Sequence, residues 1–384
     1  MTKHLFNDNY CFRLLKDLIE IDTSQPNGNE KYIVKKICSL FKDTTEKKII
    51  KHSENRWTLI ISFRGEVDDS IALIGHTDTV SYGNIDDWNT SPLTATKNGD
   101  IVFGRGTADM KGGVVSLICA ALAIENSNIK PKKTIHFCFT ADEEYSGLGA
   151  KSLADWEEMK NVKEMIIAEP SNGKISICEK GALWLKFTSH GKSAHASTPN
   201  LGINAIENLT KLYYDLSKTM KDYGKYSYLG EGSVQITKLQ GGIMTNVIPS
   251  EATMEVDIRM TPNVSLERLE SDINNIIKNI MSENKGLSIT IDVLNKRNPI
   301  MTDENNDFIK KVDSVCDKMN IPKEKRGHNF YTDAAQILSK HDIPFIIFGP
   351  GNDEFAHKTN EQVNLSDIIN KSEFYWNYLK KYYL

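Results

Sequence analysis

The stretch Ile71-Ala-Leu-Ile-Gly-His-Thr-Asp-Thr-Val80 decides the fold class of this 384-residue chain. Its four leading apolar residues do not alternate with polar ones, which predicts a strand that is buried on both faces of a sheet. His76 and Asp78 follow directly at the end of that strand. Because ligands of open α/β sheets bind just beyond the carboxyl ends of the strands, these two residues are candidates for an active site.

Three further apolar segments, 134–140, 165–168 and 345–348, end in the same way. Each is followed by side chains of the types that coordinate metal ions in proteins. These are Asp142, Glu143 and Glu144 after the first segment, Glu169 after the second, and His357 beyond the Gly-Pro-Gly turn that follows the third. The repeated arrangement predicts that ligand-type residues meet at one edge of a single sheet.

Composition limits the classes of function. The chain is 40% hydrophobic and 26% charged with a formal net charge of −4, which is typical of a globular protein and argues against a nucleic-acid partner. The first residues lack the apolar core of a signal peptide, and no run of about 18 apolar residues predicts a membrane span. The six scattered cysteines contain no Cys-x-x-Cys pair and are expected to be reduced and structural. We therefore expect a cytoplasmic protein with no membrane partner.

Helix and strand patterns alternate through the first part of the chain and predict an α/β domain. Between about 181 and 295, segments such as 182–188 and 252–260 instead alternate apolar with polar residues, which indicates a sheet with one face on a core and the other in water. Residues 1–180 and 296–384 are therefore predicted to form one domain, with helices on both faces of a mixed, largely parallel sheet. Residues 181–295 are predicted to form an inserted α+β domain.

The glycine-rich stretch Gly104-Arg-Gly-Thr-Ala-Asp-Met-Lys-Gly-Gly113 lacks the spacing of phosphate-binding loops. It places Asp109 shortly before a predicted helix, 114–125, where an anionic side chain is favourable. With the strand ends, it completes a set of two histidines and several carboxylates: His76, Asp109, Glu143, Glu144, Glu169 and His357.

This set suits zinc, cobalt or manganese better than calcium or magnesium. Three carboxylate ligands and a bridging hydroxide carry four negative charges, which two divalent cations neutralise and one does not. Paired metals about 3.5–4 Å apart serve hydrolysis. Taken singly, each residue has a plainer interpretation, because an isolated histidine is usually structural and Asp-Glu-Glu is usually a solvated turn. Their coincidence at the ends of buried strands favours a metal site.

Several motifs together resemble the M20 metallopeptidase family, in particular the branch of acetylornithine deacetylase and succinyl-diaminopimelate desuccinylase. They are Gly-His-Thr-Asp-Thr-Val (75–80), the glycine-rich stretch 104–113, Ala-Asp-Glu-Glu (141–144), Ala-Glu-Pro-Ser (168–171), and the Gly-Pro-Gly, Ala-His-Lys and Asn-Glu groups between 349 and 361. The resemblance extends from about residue 10 to the C-terminus. It implies a zinc-peptidase-like catalytic domain with an inserted lid and dimerisation domain.

The resemblance also implies a ligand role for five residues. Asp109 would bridge two divalent metal ions. His76 and Glu169 would complete one metal site, and Glu144 and His357 the other.

Two neighbouring carboxylates have different implied roles. Glu143 would be the general base, which takes a proton from the attacking water and passes it to the leaving amine. Asp78 would accept the free N–H of His76 and fix its tautomer. The resemblance further implies a cis peptide bond between Asp109 and Met110.

Within 181–295, the resemblance implies that His195 stabilises the tetrahedral oxyanion, in dimeric members from the neighbouring subunit. Asn246 and Arg259 match lid positions that hold the carboxylate end of the substrate. From the residues alone, Arg259 on an alternating strand is equally well a solvated residue of the sheet face. Pairing of two lids about a two-fold axis would cover an edge strand, so we expect a homodimer through this domain.

The expected activity is that of a metal-dependent amidohydrolase. It would remove an acetyl- or succinyl-type acyl group from an N-acyl amino acid or diamino acid, such as N-acetylornithine or N-succinyl-diaminopimelate. A di- or carboxypeptidase on the same scaffold is the alternative. Family members that act as aminopeptidases or dipeptidases often carry Asp at the position of Glu169, so the glutamate favours a deacylase or carboxypeptidase. A non-catalytic binding protein would be expected to have lost Glu143 or a ligand, and none is lost.

Overall fold

The computed structural model describes residues 3–384, which form two compact units. The first comprises the chain up to Ile177 together with Met301–Arg326 and Thr332–Leu384. The second comprises Cys178–Ile300 and Gly327–Tyr331. The long inserted segment therefore begins and ends within about five residues of the expected boundaries, 181 and 295. The short segment 327–331 differs, because the sequence places it in the first domain.

Long-range packing explains why Gly327–Tyr331 belongs to the second unit. The backbone of Gly327 lies so close to Leu229 that a Cβ atom there would be 2.4 Å from a methyl carbon of the leucine. The ring of Tyr331 contacts the guanidinium groups of Arg259 and Arg297, whose Cζ atoms lie 5.8 and 5.5 Å from its centroid. No pattern within a five-residue segment indicates such contacts.

Helices and strands alternate in the first unit, as the hydrophobic pattern predicts. Before the inserted segment the elements are α1 (Asp8–Ile19), α2 (Glu30–Cys38), β1 (Glu46–Lys51), β2 (Trp57–Phe63), β3 (Val67–His76), β4 (Thr96–Asn98), β5 (Ile101–Phe103), α3 (Gly112–Ser127), β6 (Lys133–Thr140), α4 (Leu148–Ala154), β7 (Val162–Pro170) and β8 (Ile175–Glu179).

The inserted segment contains β9 (Gly181–His190), α5 (Ala205–Asp222), β10 (Lys225–Tyr226), β11 (Gly230–Glu231), β12 (Ser233–Gly241), β13 (Glu251–Met260), α6 (Leu266–Glu283) and β14 (Ser288–Arg297). After it come β15 (Ile300–Met301), α7 (Asp307–Met319), β16 (Lys325–His328), α8 (Asp333–Ile337), β17 (Phe345–Gly349), β18 (Gln362–Asn364) and α9 (Leu365–Tyr382).

The large sheet has nine strands, in the order β1-β2-β6-β3-β7-β17-β8-β15, with β16 paired to β8. The four central strands β6, β3, β7 and β17 run parallel, whereas β1–β2, β2–β6 and β8–β17 are antiparallel pairs. The sheet is therefore mixed. Its parallel strands are the ones that lead into the ligand-type residues, since His76 ends β3, Glu169 lies near the end of β7, and Glu143 and Glu144 follow β6.

A single hydrophobic core supports the central strands. From Ser70 to His76, β3 is buried without interruption, as expected for a strand covered on both faces. Helix α3 is buried along most of its length and packs against α9, and apolar side chains of both helices belong to the core. The carboxyl ends of the parallel strands therefore project from a closely packed base.

One helical stretch among the described residues, Thr107–Ser127, is long and apolar enough to cross a membrane by length and composition. No such stretch was expected from the sequence. Its most apolar window is entirely buried inside the structure. That is the position of a core helix, so the stretch is weak evidence for a membrane span.

The second unit has a four-stranded antiparallel sheet in the order β12-β13-β9-β14. Along β9, Leu183, Leu185 and Phe187 are buried in a core shared with α5 and α6, while Trp184 and Lys186 are half-buried on the other face. The alternation seen in the sequence thus corresponds to a one-sided sheet. Strands β12 and β14 form its edges.

The sequence patterns missed elements with few apolar residues. Strand β1 has the sequence Glu-Lys-Lys-Ile-Ile-Lys, is mostly exposed and pairs with β2 at the edge of the large sheet. An edge strand of this kind needs little apolar surface, so its sequence resembles that of a loop.

Candidate metal centre

The turn that carries Asp109 connects β5 to α3. Residues Thr107–Lys111 form a π-helical turn in which Asp109 and Met110 have non-helical backbone angles. The peptide bond between these two residues is cis, as the resemblance implied. All five residues of the turn are buried. The Asp109 carboxylate is therefore presented beside the end of β3 with little exposure to water.

The two carboxylate oxygens of Asp109 face two different histidines. Oδ1 lies 2.9 Å from Nε2 of His76, and this nitrogen lies 3.3 Å from Oε1 of Glu169. Oδ2 lies 3.2 Å from Nε2 of His357, which lies 3.0 Å from Oε2 of Glu144. The structure thus brings the five predicted ligands together in two groups that share Asp109.

The backbone of Asp78 determines the tautomer of His76. Nδ1 of the ring lies 3.0 Å from the carbonyl oxygen of Asp78. Since a carbonyl oxygen only accepts hydrogen bonds, Nδ1 carries the proton and Nε2 of the neutral ring has a free lone pair. Asp78 thus accepts the N–H of His76 through its carbonyl oxygen and not through its carboxylate, whose Oδ1 is 3.7 Å from Nδ1.

The carboxylate of Asp78 binds the turn after β6 instead. Oδ1 accepts a hydrogen bond from the backbone N–H of Glu143, and Oδ2 accepts one from that of Glu144, both at 3.1 Å. Oδ2 also accepts a hydrogen bond of 2.8 Å from the side-chain amide of Gln25. Asp78 is fully buried, so these contacts replace the water that its charge would otherwise require.

Burial changes the acidity of the clustered carboxylates. It raises the pKa of Glu143 well above its ordinary value and that of Glu169 to about 8. Burial would also raise the pKa of Asp109, but hydrogen bonds with His357 and His76 outweigh it and hold this pKa far below its usual range. The hydrogen bond with Asp109 in turn raises the pKa of His357 to about 11. Burial and repulsion from neighbouring carboxylates therefore oppose the charged forms of Glu143 and Glu169 unless a cation lies nearby.

Divalent cations fit this donor set. The ligand atoms of His76, Asp109 and Glu144 lie within 4.8 Å of one another. Oε2 of Glu169 is buried without a hydrogen-bond partner among the described residues. The lone pair of His76 Nε2 faces carboxylate oxygens, which repel it unless a proton or a cation lies between them. A metal ion would satisfy both atoms.

His195 and Asn246 lie in the second unit, as predicted for the inserted domain. His195 is exposed, and its Nδ1 accepts hydrogen bonds from the backbone N–H of Ser197 at 3.2 Å and from its hydroxyl at 2.8 Å. Nε2 of the neutral ring therefore carries the proton. The carbonyl oxygen of Asn246 accepts a hydrogen bond from the N–H of Ala196 at 2.9 Å, which ties the two predicted positions together.

Arg259 also lies in the second unit. Its Nε and Nη2 donate hydrogen bonds to the two carboxylate oxygens of Asp257, at 2.8 and 3.0 Å. In the sheet register both Arg259 and Arg297 pair with Ala182, from opposite sides. Two guanidinium groups thus share one row of the sheet, next to the ring of Tyr331. Neither Arg297 nor Tyr331 is among the site residues predicted from the sequence.

Glu361 anchors the Asp109 turn, and sequence reasoning missed this role. It is fully buried, and its Oε1 accepts hydrogen bonds from the backbone N–H groups of Ala108 and Asp109, at 2.8 and 2.9 Å. Oε2 accepts one from the N–H of Gly106 at 3.0 Å and pairs with Arg105 at 2.6 Å. Glu361 belongs to the Asn-Glu group among the motifs, but no local pattern indicates that it is buried.

Comparison with known proteins identifies the family of this chain. The family described as Peptidase family M20/M25/M40 matches residues 72–381, a region that contains all five predicted metal ligands. The chain belongs to this family. It is thus a metallohydrolase of the M20 type, as the motifs indicated.

Curated relatives cover nearly the whole chain. A probable succinyl-diaminopimelate desuccinylase of Staphylococcus aureus (strain MRSA252) is 30% identical over 393 residues, which cover 93% of this chain and 94% of the relative. A probable succinyl-diaminopimelate desuccinylase of Staphylococcus epidermidis is 27% identical, with coverage of 96% and 97%.

Solved structures of the family share the fold. The aminopeptidase PepT of Bacillus cereus has a TM-score of 0.79 at 19% identity and covers 98% of this chain and 99% of its own. The YXEP protein of Bacillus subtilis, described as a dinuclear metal binding peptidase from the M20 family, has a TM-score of 0.75 at 16% identity, with 98% of each chain covered. An M20 family metallo-carboxypeptidase of Sulfolobus solfataricus has a TM-score of 0.73 at 16% identity, with coverage of 96% and 98%. The predicted α/β fold with a large mixed sheet is confirmed.

Glu361→Gln should weaken metal binding although Glu361 is not a predicted ligand. The amide keeps one acceptor oxygen, but it turns an NH₂ group toward backbone donors or Arg105 and leaves buried groups unpaired. We expect metal affinity to fall about 10- to 100-fold, as measured by competition with a chelator. Glu354→Gln, at an exposed position of the same loop, is the matched control. Equal resistance of the two variants to the chelator would contradict the anchoring role.

Proposed function

We propose that this chain is a dinuclear metal-dependent amidohydrolase that removes an acetyl- or succinyl-type acyl group from an N-acyl amino acid or diamino acid. The observation that carries the proposal is the placement of the two oxygens of Asp109 against separate His–Glu pairs. A carboxylate shared in this way suits two adjacent cations, which serve hydrolysis of carbonyl compounds.

In this proposal, His76, Asp109 and Glu169 hold one divalent cation, and Asp109, Glu144 and His357 hold the second. Imidazole and carboxylate donors favour Zn²⁺, with Co²⁺ or Mn²⁺ as alternatives. Bound there, the two ions would supply Lewis acidity to the scissile carbonyl and to an attacking water.

Glu143 is the proposed general base. Its backbone N–H donates a hydrogen bond to the carboxylate of Asp78, which fixes the turn that carries it. Burial raises the pKa of Glu143, which makes its carboxylate a stronger base. It would take a proton from the attacking water and deliver it to the amide nitrogen, so that the C–N bond breaks and a neutral amine leaves.

The second unit would supply groups for the acyl carbonyl and the substrate carboxylate. His195 would donate its Nε2–H to the developing oxyanion, and the tautomer inferred from its contacts with Ser197 supports this role. Asn246 and Arg259 would hold the carboxylate end of the substrate. The contact with Asp257 engages only Nε and Nη2 of Arg259, so Nη1 is left for a carboxylate.

A substrate panel distinguishes the proposed deacylase from a di- or carboxypeptidase. The curated relatives support the deacylase, whereas the aminopeptidase and carboxypeptidase among the solved structures support the alternative. N-acetyl and N-succinyl amino acids and dipeptides would be assayed with zinc, cobalt and manganese. We expect N-acyl amino acids to be hydrolysed with a kcat/KM at least about tenfold above that of dipeptides, a difference of about 1.4 kcal/mol. The reverse order would favour a peptidase, and no hydrolysis of any amide would contradict the proposal.

Glu143→Gln should abolish turnover without loss of metal. The amide cannot accept a proton, so kcat should fall about 10²- to 10⁴-fold or more while two metal ions per chain remain bound. Metal content by mass spectrometry and steady-state kinetics check both expectations. Glu144→Gln is the comparison, because removal of a ligand charge should lower metal content. Metal loss in Glu143→Gln with retention in Glu144→Gln would mean that the two roles are reversed.

We also propose that the enzyme is a homodimer joined through the second unit. Strands β12 and β14 are the edges of its sheet, and neither pairs with a further strand within residues 3–384. Exposed apolar side chains lie on β12 and in the loop after it: Leu239 is 46% exposed, Ile243 87% and Met244 64%. An isologous interface would cover such an edge and its apolar side chains.

Mixing two inactive variants tests whether His195 acts across that interface. If His195 of one chain serves the metal centre of the other, His195→Ala mixed with Glu143→Gln creates one intact site in each heterodimer. Random subunit exchange should then restore about a quarter of the wild-type activity. Light scattering and labelled subunits would establish dimerisation and exchange. No recovery despite complete exchange would contradict action in trans.

The small N-acylated amino acid or peptide is the only ligand class that we propose besides the metals. The expected cytoplasmic location stays a prediction, and expression of the tagged protein followed by fractionation would test it.

A further inference from the structure

A buried polar network lies beside the turn after β6, and none of its members is a predicted metal ligand. Its centre is Arg56, between β1 and β2, whose side chain is only 12% exposed. Nη1 lies 3.0 Å from Oε1 of Glu30 and 2.6 Å from Oδ1 of Asp142. Nη2 donates hydrogen bonds to Oε1 of Gln25 and to the carbonyl oxygen of Pro26, both at 2.6 Å. One guanidinium thus connects four acceptors from two parts of the chain, residues 25–30 and Asp142.

Gln25 links this guanidinium to the turn. Its Oε1 accepts from Arg56, while its Nε2 donates to Oδ2 of Asp78 at 2.8 Å. The amide has one workable orientation, because the flipped form would place its oxygen against a carboxylate and its NH₂ against a guanidinium. Asp78 in turn accepts the backbone N–H groups of Glu143 and Glu144. An unbroken series of hydrogen bonds therefore runs from Arg56 to the backbone of both glutamates.

Arg56 also holds the start of the turn directly, through Asp142. This residue is buried and has a φ of +67°, a left-handed conformation that is uncommon for residues other than glycine. While its Oδ1 pairs with Arg56, its Oδ2 accepts hydrogen bonds from the N–H groups of Ser146 at 3.3 Å and Leu148 at 3.4 Å. The guanidinium is thus connected to the turn at two points, directly and through the amide.

We propose that Arg56, acting through Gln25 and Asp78, is a positioning residue that sets how Glu143 and Glu144 project from their turn. The inference rests on the proposed function, in which these adjacent residues have different tasks, proton transfer and metal binding. A displacement of about 1 Å at a catalytic group costs about 10²-fold in rate. Because Arg56 supports the backbone of both Glu143 and Glu144, its replacement affects both the turnover of the enzyme and the retention of its metal ions.

The planar guanidinium suits this task better than an ammonium group. Arginine presents five N–H donors in a rigid fork, whereas lysine is a flexible point charge. Arg56→Lys therefore keeps the charge between Glu30 and Asp142 but loses the fixed geometry. Gln25→Glu is the more selective change, because it keeps the side-chain shape and the acceptor for Arg56 but places a carboxylate against Asp78.

Arg64→Lys is the matched control for both variants. Arg64 also pairs with two carboxylates, those of Glu46 and Glu158, but its side chain is 47% exposed and both partners lie outside the turn after β6. Arg64→Lys also replaces a guanidinium group with an ammonium group. It therefore shows the effect of losing a similar ion-pair geometry at another place in the first unit.

Hydrogen–deuterium exchange over 141–148 and steady-state kinetics of the zinc-loaded enzyme provide the readouts. In Arg56→Lys and Gln25→Glu, we expect the amides of Glu143 and Glu144 to exchange about tenfold faster than in wild type, since their acceptor is no longer fixed. We expect kcat to fall about 10- to 100-fold with KM changed by less than about twofold. Arg64→Lys should match wild type in both measurements.

Exchange and kcat equal to those of Arg64→Lys would overturn the inference. Faster exchange with unchanged kcat would overturn it as well, because the network would then support the fold alone. If Arg56→Lys does not fold, the inference is tested with Gln25→Glu alone, by the same comparison of amide exchange and kcat with Arg64→Lys. If wild type hydrolyses no member of the substrate panel, the proposed function has failed. The inference is then tested by exchange and resistance to chelator, and faster exchange with unchanged metal retention would overturn it.

Discussion

Repulsion among carboxylates at the edge of the large sheet is the constraint on which the rest of the structure depends. Four of them, from Asp109, Glu143, Glu144 and Glu169, lie around two imidazoles and are mostly shielded from water. Like charges in such surroundings oppose one another strongly, and burial penalises each charge further. The chain must therefore hold these groups in place by contacts that do not involve their own side chains.

Other buried carboxylates provide these contacts by accepting backbone N–H groups. Glu361 holds the turn of Asp109, and Asp78 holds the turn of Glu143 and Glu144. An arginine stands behind each, since Arg105 pairs with Glu361, and Arg56 donates to Gln25, whose neutral amide donates to Asp78. The positive charges therefore stand one layer away from the ligands. They compensate the outer carboxylates and leave the inner ones available to cations.

The two units contain different kinds of sheet, and each kind places side chains in a different arrangement. Parallel strands in the first unit bring separate chain segments to one edge, which is how residues as distant as His76 and His357 reach the same carboxylate. The antiparallel sheet of the second unit instead presents side chains in rows. One such row places Arg259 and Arg297 on either side of Ala182. Directional metal coordination suits strand ends, whereas recognition of a carboxylate suits a row of guanidinium groups.

The sequence by itself determined the α/β class, the insertion and the set of ligand-type residues, because burial on both faces, alternation and strand-end motifs are local patterns. It also indicated the family, whose motifs contain Asp109 and Glu169. Only the tertiary structure decided that the two oxygens of Asp109 face separate histidines, that Asp78 orients His76 through its carbonyl, and that Glu361 and Arg56 hold the turns. These features depend on contacts between residues far apart in the chain, as with Asp109 and Glu361, which are 252 positions apart. A local sequence pattern does not indicate such a contact. A glutamate whose buried carboxylate accepts backbone N–H groups cannot be distinguished in the sequence from a glutamate exposed to water.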